Sequence, residues 1–246
     1  MAQDYEALLK QILEAAAAYG KGAACAPAPA AAPAGGLEPI PVGISNRHIH
    51  LSQADMDVLF GPGYELTKIK DLKQPGQFAC KETLTIVGPK GALEKIRVLG
   101  PLRKATQVEL LLGDSFKLGI KPPIRMSGDL AGSPGVTLVG PKGTVVLTEG
   151  AIVAQRHIHM TAAEAAAYGV ANGQIVSIEF DGPRAGTLAN VAIRAGEGHS
   201  LECHVDTEEA NALAITSKTT FKLIKYNVYR ITDKLKNQQF SETGGN

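Results

Sequence analysis

The segment SNRHIHLS at residues 45–52 returns almost unchanged as AQRHIHMT at residues 154–161. The two copies share Arg-His-Ile-His and contain four of the chain's six histidines. Each copy precedes a brief helical pattern, SQADMDVLFG after the first and TAAEAAAYGV after the second. Ser52 and Thr161 open these patterns and are favourable N-cap residues. The sequence therefore predicts two related units, each built as strand, His-x-His, cap and short helix.

The chain between residues 37 and 224 has the texture of a β protein, because its β-branched and apolar runs are short and are separated by Gly and Pro. VGPKG occurs at 87–91 and at 139–143, each time between two such runs, which predicts a hairpin turn. It lacks the Walker pattern of a phosphate-binding loop. Long crossover helices are missing between the runs, so we expect a mainly β fold of two related barrel-like units rather than a βαβ array.

The composition excludes several broad classes of partner. Lys and Arg number 25 against 24 Asp and Glu, a net charge of +1, so we expect no nucleic-acid or membrane partner and only a local anion site. Three cysteines without CxxC spacing argue against a disulfide framework and are typical of a reducing cytosol. The sequence also shows no apolar run long enough to cross a bilayer and no secretory signal.

The N-terminal segment has a different character. Residues 1–20 place apolar side chains at steps of three and four, which predicts a short amphipathic helix. Residues 21–36 are rich in Pro and Ala, which stop the helix and favour an extended linker. We expect this helix to dock onto another protein, with docking onto its own core as the alternative.

The paired histidines predict metal binding. Residues i and i+2 of a strand point to the same face, so His48 and His50 converge, as do His157 and His159. Neutral imidazole is the commonest metal ligand and is well suited to zinc. A purely structural zinc more often uses closely spaced cysteines, which the sequence lacks, so a site with an open position and a chemical role is favoured.

Each pair needs at least one more ligand. His204 in ECHVDTEEAN is expected to complete one site; the adjacent Cys203 competes, but neighbours on a strand face opposite ways. Glu109, inside the apolar run of TQVELLLGDS, is the preferred third ligand for the other site, because a buried carboxylate needs a metal or a donor. Glu82 in CKETLT is the alternative. His199 in GEGHS is interpreted as a loop residue.

Taken together, SNRHIHLS, QRHIHM, GPLRKATQVELL, RMSGDLAGSPG and ECHVDTEEAN resemble the phosphate propanoyltransferase family, the PduL-like phosphotransacylases of propanediol utilisation. The resemblance covers about residues 37–224. It implies two β-barrel domains with short capping α-helices, one barrel inserted in the other. The first barrel would comprise 37–46 and 155–224, the second 47–154, with 225–246 as a C-terminal tail.

The family's reaction converts a short-chain acyl-CoA, propanoyl-CoA or acetyl-CoA, and phosphate to acyl phosphate and CoA, reversibly. Residues 1–20 resemble the peptides that load enzymes into bacterial microcompartments, which implies shell or cargo proteins as partners, a place in the compartment lumen within the cytoplasm, and a homo-oligomer. The resemblance further implies two zinc ions per chain, the first beside the CoA sulfur and the second close by, held by His48, His50 and Glu109 and by His157, His159 and His204.

Arg103 in GPLRKA is the residue expected to hold the attacking phosphate, because a guanidinium offers a planar bidentate fork. The stretch RMSGDLAGSPG could add main-chain N–H groups around Ser127, with Arg125 as a further candidate. Six residues resemble positions that contact CoA in the family: Ser45, Lys70, Arg97, Leu99, His204 and Asn211.

Two other functions are compatible with the histidines. The metal site of a zinc hydrolase can also begin with a His-x-His pair on a strand. The second motif and the lack of helices between strands argue against a hydrolase. A non-catalytic zinc-binding protein of the same compartment would use the histidines structurally.

Overall fold

The fold was analysed in a computed structural model that describes residues 37–226. The predicted helix at 1–20, the linker at 21–36 and all but the first two residues of the predicted tail at 225–246 lie outside the described residues. Within residues 37–226, no helix is long and apolar enough to cross a membrane.

The described chain consists mainly of short strands, with four short helices between them. The helices are α1 (Gln53–Phe60), α2 (Asp114–Leu118), α3 (Ala162–Tyr168) and α4 (Thr207–Leu213). The strands are β1 (Val42–Ser45), β2 (His48–His50), β3 (Lys68–Asp71), β4 (Phe78–Gly88), β5 (Gly91–Gly100), β6 (Gln107–Leu110), β7 (Ile124–Arg125), β8 (Thr137–Val139), β9 (Thr144–Val146), β10 (Ala151–Ala154), β11 (His157–Met160), β12 (Ile175–Phe180), β13 (Gly186–Ala195), β14 (Glu202–Asp206) and β15 (Lys222–Ile224).

The strands form two sheets. The six-stranded sheet has the order β1-β14-β11-β13-β12-β15, and the nine-stranded sheet has the order β7-β10-β6-β2-β5-β4-β8-β9 with β3 paired to β4. The chain thus starts one sheet, builds the whole of the other from β2 to β10, and returns to the first. This confirms the mainly β fold. Closure of either sheet into a barrel, and the division into two barrel domains, stay predictions.

The local elements follow the sequence pattern closely. Both VGPKG segments connect hairpins, β4 to β5 and β8 to β9. The Ser52 side chain accepts a hydrogen bond from the Asp55 N–H (3.2 Å), which caps α1. Thr161 and Glu164 form a capping box at the start of α3, with Thr161 Oγ1 accepting from the Glu164 N–H at 3.1 Å. The two predicted helices are therefore confirmed.

The sequence run AIVAQRHIHM, by contrast, is not one strand. It divides between β10 in the nine-stranded sheet and β11 in the six-stranded sheet. The first copy is divided in the same way, between β1 and β2. Each Arg-His-Ile-His motif therefore lies where the chain passes from one sheet to the other.

The arginine of each motif forms an ion pair that stabilises this crossing between the sheets. Arg47 Nε donates to Asp114 Oδ2 at 2.8 Å, at the start of α2. Arg156 Nε donates to Glu209 Oε1 at 2.6 Å, in the first turn of α4. The motif strand β2 pairs with β6, which leads into α2, and the motif strand β11 pairs with β14, which leads into α4. Each arginine therefore links its motif to the helix that follows the neighbouring strand.

Each sheet has its own apolar core. The central isoleucine of each motif, Ile49 and Ile158, is fully buried in one of the two cores. Because side chains alternate along a strand, burial of this isoleucine turns the flanking histidines to the opposite face. The alternation in His-Ile-His thus serves both packing and the placement of the imidazoles.

Candidate active site

The first cluster forms across two antiparallel strands. β2 pairs with β6 so that His48 lies opposite Glu109. His48 Nε2 is 3.4 Å and His50 Nε2 is 3.9 Å from the Glu109 carboxylate oxygens. One donor atom from each of the three residues lies within 4.8 Å of the others, which is the spacing of a three-ligand metal site.

The second cluster repeats this construction. β11 pairs with β14 so that His157 lies opposite His204, and the Nε2 atoms of His157 and His159 are 3.0 Å apart. The His204 ring centroid lies 4.9 Å from both other ring centroids. In both clusters the third member is thus the cross-strand partner of the first histidine. The same β register brings together both predicted ligand sets.

The rival ligands point elsewhere. Cys203 is fully buried in the core of the six-stranded sheet, where burial raises the pKa of its thiol. Glu82 accepts hydrogen bonds from the Tyr64 hydroxyl at 2.9 Å and from the Thr67 N–H at 3.1 Å. Glu82 is therefore already used by a loop and does not belong to the first histidine pair.

The hydrogen bonds of the first histidines prepare them for metal binding. His48 Nδ1 is 2.8 Å from the Asn46 carbonyl, and His157 Nδ1 is 2.8 Å from the Gln155 carbonyl. A carbonyl only accepts, so the proton lies on Nδ1 in both rings and the Nε2 lone pair is left for the cluster.

The electrostatics point in the same direction. Burial, reinforced by neighbouring cations and imidazoles, lowers the pKa of His50 to about 3, of His157 to about 4 and of His159 to about 2. Burial also lowers the pKa of His48, but the Glu109 carboxylate outweighs it and the net shift is upward. Burial raises the pKa of Glu109, yet the nearby His48, His50 and Arg103 hold it well below its usual range. The lowered pKa values favour neutral imidazoles at His50, His157 and His159 and an ionised carboxylate at Glu109, which are donors that suit a zinc-class ion, whereas His48 would give up its proton on metal binding.

Both clusters open on one cavity of about 280 Å³. The nine-stranded sheet contributes the first cluster, the connection between β5 and β6 contributes Arg103, and the six-stranded sheet contributes the second cluster and Arg194. Beside the cavity, Gln74 connects the two sheets, because its side-chain amide donates to the Ser200 carbonyl at 2.9 Å. A single bound substrate can therefore reach both clusters.

Arg103 is held in place on the cavity wall. Its main-chain N–H donates to the Leu51 carbonyl at 2.8 Å, and its Nη1 donates to Ser127 Oγ at 2.8 Å. Ser127 also donates to Glu109 at 3.1 Å, which links the guanidinium to the first cluster. The expected nest of N–H groups is reduced, because the Gly128 N–H already donates to Gln107 Oε1 at 2.7 Å. Ser127 reaches Arg103 through its side chain instead.

The six residues compared with CoA contacts fall into two groups. Ser45, Leu99 and His204 line the cavity. The other three do not line it: Lys70 and Asn211 are exposed, and Arg97 Nη1 donates to the main-chain carbonyls of Cys80 and Lys81 at 2.9 and 3.0 Å. Arg125 also lies off the cavity wall and donates to Asp129 Oδ1 at 3.2 Å.

Sequence reasoning did not place Arg194 or His199 in the cavity. Arg194 lies beside His159 in the parallel register of β11 and β13, and no carboxylate oxygen approaches within 4.0 Å of it in the part of the chain that the structure describes. Burial lowers its pKa, against the opposing effect of Glu109. His199 was assigned correctly to a loop, but that loop returns its ring to His159. No sequence motif marked Arg194, which is placed beside His159 by the register of β11 and β13.

Comparison with known proteins agrees with this geometry. A family model described as phosphate propanoyltransferase matches residues 41–216, a range that includes both clusters and Arg103. The chain is 53% identical over 192 residues to the phosphate propanoyltransferase of Rhodopseudomonas palustris (strain BisB18), covering 77% of this chain and 85% of the relative. It is 56% identical over 187 residues to that of Priestia megaterium (strain DSM 319), covering 76% and 86%. Since the matched segment is the one that builds the two clusters and their shared cavity, the chain belongs to the phosphate propanoyltransferase family.

Proposed function

We propose that this chain is a zinc-dependent phosphate acyltransferase that interconverts a short-chain acyl-CoA plus phosphate with acyl phosphate plus CoA. Propanoyl-CoA and acetyl-CoA are the proposed acyl donors. The observation that carries the proposal is the shared cavity, where two three-residue donor sets and two arginines converge. Family membership supports the acyltransferase activity, because the relatives carry that name.

The metal assignment rests on the chemistry of the two donor sets. His48, His50 and Glu109 would hold one zinc ion, and the three histidines of the second cluster would hold the other. When bound, the two ions would supply Lewis acidity for the thioester carbonyl and for the CoA sulfur. Each set offers three protein ligands, which leaves a position open to substrate, as in catalytic rather than structural zinc sites.

The arginines provide the phosphate site. In the proposed reaction a phosphate oxygen bonds to the thioester carbon, the C–S bond breaks, and the sulfur leaves as thiolate. Phosphate is a poor nucleophile unless its charge is held and aimed, which is a positioning task. The Arg103 guanidinium, fixed by Ser127, performs it in our proposal, and Arg194 faces the same space without a carboxylate partner in residues 37–226.

The CoA contacts divide by position. Ser45, Leu99 and His204 line the cavity and are proposed to contact the thioester end of CoA. Lys70, Arg97 and Asn211 lie away from the cavity wall and are proposed to contact the distant phosphate-bearing part. A long substrate of this kind can have its reactive end beside the clusters and its charged end outside.

The test is thiol release from propanoyl-CoA, measured with and without phosphate. We expect phosphate-dependent release by the intact protein and a large loss in Arg103→Ala. Arg125→Ala is the matched control, since Arg125 lies off the cavity and pairs with Asp129. Release that needs no phosphate would identify a hydrolase, and absence of release from a zinc-loaded protein would identify a non-catalytic zinc-binding compartment protein.

The N-terminal segment carries a separate proposal, which rests on sequence alone. Residues 1–20 direct the enzyme to shell or cargo proteins of a bacterial microcompartment, with residues 21–36 as linker, so the enzyme acts in the compartment lumen as a homo-oligomer. Deleting residues 1–36 should leave turnover unchanged while abolishing co-localisation with shell proteins and reducing self-association. A folded truncated protein without turnover would instead support docking of the helix onto its own core.

A further inference from the structure

The second histidine of each cluster differs in what its remaining ring nitrogen meets. His159 Nδ1 lies 2.9 Å from Nδ1 of His199, and the two ring centroids are 4.7 Å apart. His50 Nδ1, by contrast, is buried and has no side-chain partner among residues 37–226; the Leu99 main chain lies beside its ring instead. The second cluster therefore has a neighbour that the first cluster lacks.

The loop that carries His199 is anchored at both ends. The Gly196 N–H donates to the Met160 carbonyl at 3.1 Å, directly after the second motif. At the other end, the Ser200 N–H donates to Gln74 Oε1 at 3.2 Å, and Gln74 donates back to the Ser200 carbonyl. Gly198 has φ +73°, a conformation that glycine adopts readily, and this turn brings His199 back over the cavity. Hydrogen bonds within the protein thus fix the main chain on both sides of His199.

The proton positions follow from the chemistry of the neighbours. His157 Nδ1 carries its proton toward a carbonyl, so its Nε2 presents a lone pair to the cluster. His159 can present its own Nε2 lone pair only when its proton lies on Nδ1, and that proton needs an acceptor. His199 Nδ1 is placed to accept it. Without an acceptor there, His159 could place the proton on Nε2 and donate to His157, 3.0 Å away, which would block the metal position.

We propose that His199 is a positioning residue of the second cluster, which accepts the Nδ1 proton of His159 and so holds that ligand in the metal-binding tautomer. The inference rests on the proposed zinc site and extends it to a residue outside the six predicted ligands. Outer partners of this kind commonly contribute about 10- to 100-fold in metal affinity. In the first cluster His50 has no side-chain partner of this kind among residues 37–226, so the effect of His199 belongs to the second cluster alone.

The experiment measures Zn²⁺ affinity by competition with a chelating dye, in full-length protein. His199→Phe keeps a ring of similar size without nitrogen, and His199→Asn keeps an acceptor near the position of Nδ1. We expect one of two Zn²⁺ ions to bind about tenfold more weakly in His199→Phe, and His199→Asn to recover most of that loss. Repeating the pair in a His48→Ala background, where only the second cluster is complete, assigns the effect to that cluster.

The outcomes separate the inference from the proposed function. If the unaltered protein binds no Zn²⁺, the metal proposal fails and this inference fails with it. If it binds two ions and His199→Phe keeps both at full affinity, His199 only fills space and the inference alone is overturned. Equal weakening in His199→Asn and His199→Phe, or weakening of both ions, would also overturn it, because neither result is expected from a proton acceptor for His159.

Discussion

The two clusters share one plan and differ in the residues that surround it. In both, the third residue faces the first histidine across antiparallel strands, but it is Glu109 in the first cluster and His204 in the second. The parallel neighbour strand also differs: Arg194 lies beside His159, whereas the register of β2 and β5, extended by one residue, places Leu99 beside His50. Strand pairing repeats the framework, and single side chains make the two halves different.

This difference has an electrostatic consequence. The third residue of the first cluster is itself a carboxylate, Glu109, whereas in the second cluster it is His204, whose Nε2 lies 2.7 Å from Glu202 Oε2. Arg194 adds a positive charge on the side of the second cluster. Each cluster therefore has a carboxylate, within the cluster in the first and beside it in the second, and an arginine lies on each side of the shared cavity.

Breaking either cluster tests whether the two are independent metal sites, and we expect the largest effect here. His48→Ala and His157→Ala should each remove one of two zinc ions per chain and lower kcat/KM by about 100-fold or more, because loss of a direct ligand should exceed loss of an outer partner. Elemental analysis and steady-state kinetics measure this. One ion in the unaltered protein, or none lost from His157→Ala, would show that the repeat does not encode two sites.

The next comparison concerns the arginine on the side of the first cluster. Arg103→Ala should cost about 2 kcal/mol of transition-state binding, about 30-fold, because it removes a charge-assisted contact made by a partly buried guanidinium. The loss should appear mainly in the dependence on phosphate concentration. Arg103→Lys keeps the positive charge but loses the bidentate geometry of the guanidinium, so it should recover only part of the lost activity. Unchanged zinc content is the control, and wild-type saturation by phosphate in both variants would place the nucleophile elsewhere.

The asymmetry between Arg194 and Leu99 can be removed by a single substitution. Arg194→Leu makes the second half resemble the first, and we expect about a tenfold loss in kcat/KM for phosphate, within the range for a hydrogen bond to a charged group. Zinc content should remain at two ions. The matched control is Arg184→Leu, in the turn before β13 and outside the cavity. Equal activity of the two variants would mean that Arg194 has no role in holding the anion.

The smallest effect concerns the carboxylate that the first cluster does not use. Burial raises the pKa of Glu82, but hydrogen bonds from its own main chain, from Thr67 and from Tyr64 outweigh it and the net shift is downward. A carboxylate whose pKa is lower in the folded than in the unfolded protein stabilises the fold at pH values above its unfolded pKa. This stabilisation is lost as the pH falls through its folded pKa. Glu82→Gln should therefore lower the free energy of unfolding by about 1 kcal/mol at pH 7, with the difference fading below about pH 4. Urea denaturation measures it, and loss of zinc from Glu82→Gln would reinstate Glu82 as a ligand.

Much of the site was predictable because its elements are local. Alternation along a strand placed both histidines of each motif on one face, and Ser52 and Thr161 marked the helices that follow. Glu109 was identified because a carboxylate within an apolar run needs a partner. The division of AIVAQRHIHM between two sheets was not predicted, since an apolar run shows where strands can form and not which sheet receives them.

The sequence by itself determined that there are two paired-histidine motifs, that the two imidazoles of each motif share one face of a strand, and that the chain is mainly β. These properties depend on neighbours two to four residues apart, where backbone geometry sets the outcome. Only the tertiary structure decided that both motifs face one cavity and that Arg194 and His199 join it. Those contacts depend on strand register and on a loop anchored by Gln74, more than 100 residues away in the chain, and no local pattern encodes pairing over such separations.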